Sequence, residues 1–377
     1  MTKTINYRPT WAEIDLSALR HNLKMIENIV GNKKKIMPIV KANAYGHGIV
    51  EISKVLIENG ISYLGVATVD EAMCLRNNGV ENNVSILVLG SVLEEEAFVA
   101  VKNDITLTLG DQHLTDILIA TSKKLSKKAK VHVNIDTGMG RLGIWHEDAI
   151  YFLDKVSKIN EIEIEGVYTH FASVARDKLY TAMQADSFQN VLDYMNTREI
   201  KVKYIHSSNS IATVDYNFDN TNMVRTGILL YGIYPKEDFV YKIKLKPVMT
   251  LKTRIVFLKT ISPGMSVSYG RTYIAQKETM IATVPIGYAD GYGRVLSNHA
   301  QALVKGKLVN LTGVVTMDQT LFDVNPVKGV KVGDEVVLFG YQGRACIPVE
   351  KISRLSKTIP YEILAGISNR VPRKYIK

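Results

Sequence analysis

Ile36-Met37-Pro38-Ile39-Val40, a run of apolar residues followed directly by Lys41, is the first of eight such runs between residues 35 and 232. The others lie at 63–67, 85–89, 105–109, 131–135, 164–169, 203–206 and 224–230, and helix-periodic segments such as 69–77, 94–101, 146–158 and 178–197 separate them. Continuous apolar strands with helical connections are typical of parallel sheets covered on both faces. Eight of them predict an α/β fold of the (β/α)8 TIM-barrel type. A doubly wound open sheet is the alternative, because strand order cannot be read from one sequence.

The chain changes character after Pro247. Short β-rich segments at 249–258, 280–284, 302–304, 309–314 and 335–339 alternate with turn signals such as Ser262-Pro263-Gly264. We therefore expect a barrel domain over residues 1–242 and a mainly-β C-terminal domain over 243–377. The run at 10–16 lies outside the eight strands and precedes a helix for which Ser17 is the expected N-cap. We hypothesise that this run pairs with the β domain.

Composition narrows the class of protein. The 377 residues contain 47 Lys and Arg against 37 Asp and Glu, a net charge of +10. The lysine clusters at 33–35 and 123–128 carry no interleaved aromatic residues, so they indicate solvated surface rather than a nucleic-acid site. No apolar run reaches the ~20 residues of a membrane span, and the start at 1–15 lacks the apolar core of an export signal. Two cysteines are too few for a disulfide framework. We expect a cytoplasmic protein without a metal site, a membrane partner or a nucleic-acid partner.

Reactive residues cluster at the predicted strand ends, where barrel enzymes carry their chemistry. Lys41 ends the first strand and Arg141 follows the fifth. His170 ends the sixth strand, His206 ends the seventh, and Arg225 lies near the start of the eighth. A lysine at the border of a buried run has a lowered pKa, which frees its amine for Schiff-base chemistry. For Lys41 alone, a lysine whose charged end reaches solvent is the plainer interpretation, so the convergence of five groups carries the argument.

The sequence resembles the alanine racemases, two-domain enzymes that use pyridoxal 5′-phosphate. The similarity extends from Trp11 to Arg373, and its most specific motifs are Val-Lys-Ala-Asn-Ala-Tyr-Gly-His-Gly at 40–48 and Pro-Ile-Gly-Tyr-Ala-Asp-Gly at 285–291. The resemblance implies an enzyme that interconverts L-alanine and D-alanine and supplies D-alanine for peptidoglycan. It also implies a homodimer with shared active sites, in which the β domain of one subunit closes the barrel mouth of the other.

The resemblance assigns roles to the matched residues. Lys41 would hold pyridoxal phosphate as a Schiff base and serve as one acid/base, and Tyr269 from the partner subunit would be the second. His170 and Arg225 would support Tyr269, with His206 beyond them, and Arg225 would face the pyridine nitrogen.

Further roles concern the substrate and the phosphate group. Arg141 would contact the substrate carboxylate with the backbone N–H of Met317, and Tyr288 would line the substrate entrance. The residues that match the phosphate site or adjoin it are Tyr45, Asn209, Ser210, Gly227, Ile228 and Tyr361.

One position departs from the family pattern. Many members carry a carbamylated lysine two residues before Asp136, and its negative charge positions the arginine. Here the residue is Asn134, which is neutral. Two hypotheses follow: a bound chloride beside Asn134 and Arg141 supplies the missing charge, or Asn134 hydrogen-bonds Arg141 directly.

Two other activities stay open at this point. Related serine racemases have an asparagine where this chain keeps Tyr361, which favours alanine, whereas the departure at Asn134 leaves some serine activity open. A pyridoxal-phosphate-dependent amino-acid decarboxylase shares the barrel-plus-β plan. The Tyr269 motif and Arg225 argue against it, because decarboxylation profits from a protonated pyridine that a carboxylate usually secures.

Overall fold

A computed structural model describes residues 7–216 and 218–377. Residues 1–6, part of the stretch inspected for an export signal, lie outside the described residues. Two compact units are present. The barrel unit comprises Leu19–Ala44 and Ile49–Lys246, and the β unit comprises the described residues up to Ala18 together with Tyr45–Gly48 and Pro247–Lys377. The boundary at 242/243 stays a prediction. No helix in the described part of the chain has the length and apolar character needed to cross a bilayer.

The first strand along the chain, β1 (Thr10–Asp15), belongs to the β unit, and the strands of the barrel unit follow it. They are β2 (Lys35–Pro38), β3 (Tyr63–Val66), β4 (Ser85–Val88), β5 (Thr106–Leu109), β6 (Ala129–Asp136), β7 (Ile144–Trp145), β8 (Ile162–Tyr168), β9 (Tyr204–His206) and β10 (Met223–Thr226). Their order is β2-β10-β9-β8-β6-β5-β4-β3, with the short β7 beside β6. A parallel bridge between Ile39 and Gly65 joins the two ends of this order. The predicted eight-stranded parallel barrel is therefore confirmed, and the open-sheet alternative is wrong because the ring closes.

Helices connect the strands of the barrel unit. They span Leu16–Val30, Ile49–Glu58, Val69–Asn77, Glu94–Lys102, Gln112–Leu125, Ala149–Val156, Lys178–Thr197, Ser210–Asp215 and Phe239–Lys242. Short polar side chains accept the free N–H groups of their first turns, as Thr68 does for Glu71 and Asp111 does for Leu114.

Two local predictions for these elements are wrong. The cap of the first helix is Asp15 rather than Ser17: Asp15 Oδ1 accepts the N–H of Ala18 at 2.9 Å and also the Ser17 hydroxyl at 2.6 Å. A carboxylate is the stronger acceptor, so it takes the capping position. The eighth apolar run is not one strand over 224–230. Gly227 has φ −112° and ψ −96°, which ends β10, and a 3-10 helix over Ile228–Tyr231 follows.

The β unit contains a mixed sheet built mostly from antiparallel pairs and a separate two-stranded antiparallel sheet. Its other strands are β11 (Met249–Arg254), β12 (Phe257–Ile261), β13 (Ser266–Val267), β14 (Tyr273–Ile274), β15 (Thr279–Val284), β16 (Gln301–Val304), β17 (Lys307–Leu311), β18 (Thr320–Asp323), β19 (Glu335–Gln342), β20 (Ala345–Ile347) and β21 (Arg373–Ile376), and two helices span Val349–Leu355 and Pro360–Ala365. β1 pairs antiparallel with β11 and parallel with β21. The β-rich segment expected over 249–258 contains parts of two strands, because Ile255 N–H bonds Asp334 whereas Val256 N–H bonds Thr283.

Candidate active site

Lys41 begins an unusual turn at the end of the first barrel strand. The four residues that follow it all have φ between 51° and 54°, the left-handed helical region. Each non-glycine residue in that region costs about 1–2 kcal/mol. Asn43 partly offsets the cost, because its Oδ1 accepts the N–H of Ile49 at 2.9 Å. Backbone strain of this kind concentrates at functional positions.

The surroundings of Lys41 favour its neutral amine. Burial lowers the pKa of Lys41, and the nearby charge of Arg141 lowers it further, whereas Glu71 acts in the opposite direction. A lowered pKa makes the amine more available as a nucleophile or base.

Glu71 is a site residue that the sequence analysis missed. Its carboxylate accepts the N–H of Ala42 at 2.6 Å and that of Ala67 at 2.8 Å, so it fixes the chain directly after Lys41. The available signal was Thr68-Val69-Asp70-Glu71, a capping-box pattern at a helix start. Here the glutamate reaches past the cap to the preceding residue and to the Lys41 turn.

Arg225 is buried and donates to four acceptors from the ends of β8 and β9. Its Nη1 bonds His206 Nδ1 at 2.7 Å, and its Nη2 bonds His170 Nδ1 at 3.1 Å. Nη2 also donates to the carbonyl oxygens of Thr169, at 2.8 Å, and Ser207, at 3.0 Å. Burial lowers the pKa of Arg225 to about 10, so the group is still a cation at neutral pH.

The two histidines that accept from Arg225 are neutral. Burial, reinforced by the charge of Arg225, lowers the pKa of His170 to about 3 and that of His206 well below its ordinary value. Since Nδ1 of His170 accepts from an arginine that can only donate, its single proton lies on Nε2. The structure thus brings His170, His206 and Arg225 together.

Tyr168 supports this cluster and was not predicted. Its ring stacks on His206, with centroids 4.8 Å apart and an interplanar angle of 6°, and the Arg225 guanidinium lies 5.1 Å from its centre. Its hydroxyl bonds Thr108 Oγ1 at 2.9 Å. The guanidinium is therefore held over an aromatic face as well as by its hydrogen bonds.

A second group of predicted residues forms a polar cradle in the barrel unit. Asn209 Oδ1 accepts the N–H groups of Ile211 and Ala212 and so starts the helix Ser210–Asp215. Ser210 Oγ accepts the N–H of Gly227 at 2.9 Å. This bond joins the start of that helix to the turn in which Ile228 begins a 3-10 helix. Hydroxyl and backbone N–H donors in such a turn suit a phosphate group.

Tyr45 and Tyr361 lie together in the β unit, with ring centroids 5.9 Å apart. Burial raises the pKa of Tyr361 to about 12, so its hydroxyl keeps its proton and can donate to an anion.

Arg141 and Asn134 line one small cavity, together with Met139, Leu142 and His170. Asn134 Nδ2 donates to the carbonyl oxygen of Leu142 at 2.9 Å. Within the described residues, the asparagine therefore bonds the main chain beside Arg141 rather than the guanidinium itself.

Asp136, another residue that the sequence analysis passed over, shapes the loop that carries Arg141. Its Oδ1 accepts the N–H groups of Gly138, Met139 and Gly140 at 2.9, 2.9 and 3.1 Å. Aspartates commonly bond the main chain two residues on, so the Asp-Thr-Gly pattern was the signal for this turn.

Three of the site residues predicted in the β unit have exposed side chains. Tyr269 is 72% exposed, Met317 52% and Tyr288 43%. Tyr288 N–H donates to the carbonyl oxygen of Thr316 at 3.1 Å, so Tyr288 and Met317 adjoin. Tyr269 follows Ser268, whose φ is +64° and whose hydroxyl bonds the carbonyl oxygen of Val314 at 2.6 Å. These contacts fix the main chain near Tyr288 and Tyr269, and the side chains remain exposed.

Comparisons with known proteins agree over nearly the whole chain. The family model described as alanine racemase, N-terminal domain, matches residues 14–235, and the one described as alanine racemase, C-terminal domain, matches residues 248–375. An alanine racemase of Halothermothrix orenii is 47% identical over 376 residues, which cover 100% of this chain and 98% of the relative. One from Methanococcus maripaludis is 43% identical over 372 residues, with 98% and 99% covered.

Solved structures give the same result. The alanine racemase of Clostridium difficile 630 superposes with a TM-score of 0.92 at 40% identity, covering 98% of this chain and 96% of that one. The Bacillus anthracis alanine racemase with bound L-Ala-P superposes with a TM-score of 0.91 at 37% identity and the same coverage.

Proposed function

Because this chain belongs to the alanine racemase family, we propose that it interconverts L-alanine and D-alanine with pyridoxal 5′-phosphate bound at Lys41. The observation that carries this proposal is the environment of Arg225, a buried cation that donates to two neutral histidines and two carbonyl oxygens. A decarboxylase of the same architecture would need a carboxylate there to keep the pyridine protonated, so this surrounding favours racemisation.

The residues present fit the cofactor. Lys41 offers an amine with a lowered pKa. The Ser210 hydroxyl accepts the N–H of Gly227 and keeps its own proton to donate to a phosphate. When bound, pyridoxal phosphate withdraws electrons from the amino acid and makes its α-proton acidic. The proposed phosphate ligands are Tyr45, Asn209, Ser210, Gly227, Ile228 and Tyr361, and Arg225 would donate to the pyridine nitrogen.

Racemisation requires a proton to leave one face of the α-carbon and another to arrive on the opposite face, so two acid/base groups are needed. We assign Lys41 to the D-alanine face and Tyr269 to the L-alanine face. Tyr269 is 72% exposed in the single chain, which supports a site completed by a second copy. The Nε2–H group of His170, whose tautomer is fixed by Arg225, would donate to the oxygen of Tyr269 of the partner subunit and stabilise its deprotonated form.

The substrate carboxylate would bind Arg141 together with the backbone N–H of Met317, and Tyr288 would line the entrance. A carboxylate recognised by a guanidinium and an N–H group is held in a fixed orientation, which presents the α-proton to one base at a time. Tyr361, retained here, favours alanine over serine.

We further propose that a chloride ion lies beside Arg141 and Asn134. The asparagine brings no charge, and its Nδ2 donates to the carbonyl oxygen of Leu142. An anion in the cavity that Asn134 and Arg141 line would supply the negative charge that a carbamylated lysine brings in other members of the family. Raising chloride from trace to physiological concentration should lower KM for alanine. Anomalous scattering from bromide-soaked crystals should place an ion there, and absence of both effects would exclude chloride.

The biological setting follows from the reaction. We propose a cytoplasmic homodimer that supplies D-alanine for peptidoglycan. Both cysteines, Cys74 and Cys346, are free thiols, as is usual in a reducing compartment.

The test follows the α-proton of each enantiomer. Purified enzyme in D2O should wash deuterium into Cα of both L-alanine and D-alanine. Tyr269→Phe should lose exchange from L-alanine by about 100-fold or more, while same-face exchange from D-alanine through Lys41 persists. Lys41→Ala should lose exchange from both and also the visible absorbance of the bound cofactor. Equal losses for the two enantiomers in Tyr269→Phe would contradict the two-base assignment.

A further inference from the structure

A continuous line of polar side chains crosses the interior of the barrel, behind the groups already described. Beyond Arg225, His206 Nε2 lies 2.8 Å from His132 Nδ1. His132 Nε2 lies 3.0 Å from the hydroxyl of Tyr63, and this hydroxyl lies 3.5 Å from Glu165 Oε2. His132, His206 and Tyr63 are at most 1% exposed. A barrel interior is normally filled by branched apolar side chains, so this line needs a reason.

The chemistry of its first member gives the line a direction. Arg225 can only donate, so Nδ1 of His206 accepts and the single proton of this neutral ring lies on Nε2. That proton points to Nδ1 of His132, which leaves the proton of His132 on its own Nε2. Both rings carry one proton because burial lowers the pKa of His132 to about 3 and that of His206 well below its ordinary value. His132 in turn donates to the Tyr63 oxygen.

Glu165, the last member of the line, is an acceptor. Tyr63 accepts from His132, so its own proton is free to be donated to Glu165. A carboxylate only accepts, and Thr106 donates to the same Oε2 at 2.9 Å. Every bond from Arg225 to Glu165 therefore runs in one sense, from an obligate donor to an obligate acceptor.

The fold makes room for this line. Gly166 on β8 pairs with His132 on β6, and a Cβ at residue 166 would lie 2.9 Å from two atoms of the His132 ring. Tyr204 packs edge-on against Tyr63 with centroids 5.2 Å apart. The imidazole at 132 is thus accommodated by a glycine and held between aromatic rings.

We propose that Glu165, Tyr63 and His132 are positioning residues that fix the tautomer of His206 and through it the orientation of Arg225. If the Tyr63 oxygen were lost, the Nε2 proton of His132 would have no partner. Each ring could then carry its proton on Nδ1 instead. In His206 that proton would face the Arg225 guanidinium, which can only donate. The effect on the cofactor rests on the proposed role of Arg225 at the pyridine nitrogen, whereas the order of the protons does not.

The order of the protons is tested on the unaltered protein. Neutron diffraction from crystals exchanged in D2O should show deuterium on Nε2 of both His132 and His206 and none on Nδ1. Deuterium on Nδ1 of either ring would overturn the proposal, whatever the enzyme's activity. This result decides the question even if the variants below do not fold.

The positioning role is tested on the cofactor-loaded enzyme by three substitutions. Tyr63→Phe should shift the visible absorbance maximum of the bound cofactor and lower kcat by about ten- to a hundredfold, with a smaller change in KM. Glu165→Gln keeps an acceptor oxygen and should retain the parent spectrum. Thr106→Val removes a hydroxyl that bonds the same carboxylate and also Tyr63, but it leaves every member of the line in place, so its spectrum should shift less than that of Tyr63→Phe. The positioning role would be refuted if the absorbance maximum did not move in Tyr63→Phe, or if it moved equally far in either of the other variants.

Discussion

The pKa of Lys41 is set by opposing influences, one of which is the carboxylate of Glu71. Burial and Arg141 lower the pKa of Lys41, and Glu71 raises it. Removing the carboxylate charge in Glu71→Gln should therefore lower the pKa of Lys41 further. The measurement is competitive acetylation of the cofactor-free protein across a range of pH, with the extent at Lys41 read by mass spectrometry. The midpoint should lie below 10.5, the ordinary lysine value, and should move to lower pH in the variant.

Glu96→Gln is the matched control for this experiment. Glu96 also accepts a backbone N–H at a helix start, that of Leu93 at 3.0 Å, but it does not contribute to the pKa of Lys41. Its replacement should leave the Lys41 midpoint unchanged. A midpoint that rises in Glu71→Gln, or shifts equally in both variants, would show that Glu71 acts through the backbone rather than through its charge.

At the scale of elements, the left-handed turn after Lys41 stores strain that a single substitution can release. Ala42 is exposed and has φ +51°, so its side chain packs against little and the backbone cost dominates. Ala42→Gly should raise the free energy of unfolding by about 0.5–1 kcal/mol, the relieved strain less the added entropy of the unfolded chain. Ala42→Val should lower it, because a β-branched residue fits this region poorly. Urea titrations measure both.

Ala182 provides the comparison for that prediction. It is also exposed but lies inside the right-handed helix Lys178–Thr197. Ala182→Gly should cost about 1 kcal/mol. If the glycine substitution raises the free energy of unfolding at Ala42 and lowers it at Ala182, the backbone at Ala42 is strained. A loss of stability in both glycine variants would disprove the strain.

The same scale shows what a single sequence can and cannot predict. The runs that become barrel strands are apolar because both faces of a parallel sheet are covered, so their number and positions could be inferred. Glu71 and Asp136 escaped notice because their roles depend on main-chain N–H groups brought near by turns. His132 and Tyr63 escaped because their partners come from other strands. The 3-10 helix after β10 was misjudged because Ile228–Tyr231 is as apolar as a strand.

For the whole molecule, three buried neutral histidines predict a strong loss of stability in acid. The pKa values of His132 and His170 fall to about 3, and that of His206 is also strongly lowered, from an ordinary 6.5. Below pH 6.5 the unfolded chain binds protons that the folded protein does not, so the free energy of unfolding decreases as the pH is lowered. Each histidine contributes up to about 1.4 kcal/mol per pH unit, so the three together give a slope approaching about 4 kcal/mol per pH unit between pH 6.5 and 3.

Urea titrations between about pH 7 and pH 5 measure this slope. His132→Gln should reduce it by about a third, whatever its effect on stability at neutral pH. His113→Gln, which alters an exposed histidine, should leave it unchanged. Stability that does not vary over this range would mean that the buried rings take up protons in the folded state.

The proposed site, completed by two chains, makes a prediction that no enzyme with a single-chain site shares. Lys41→Ala lacks the first proposed base and Tyr269→Phe the second, so each alone should be nearly inactive in racemisation. In a mixed dimer one site carries both substitutions and the other carries neither. Co-expressing the two variants should therefore restore about a quarter of the parent activity, since random pairing makes half of the dimers mixed and each mixed dimer has one intact site. Pairing Lys41→Ala with the double variant Lys41→Ala/Tyr269→Phe should restore none, because no intact Lys41 is present. If neither mixture regained activity, Lys41 and Tyr269 would have to act within the same chain.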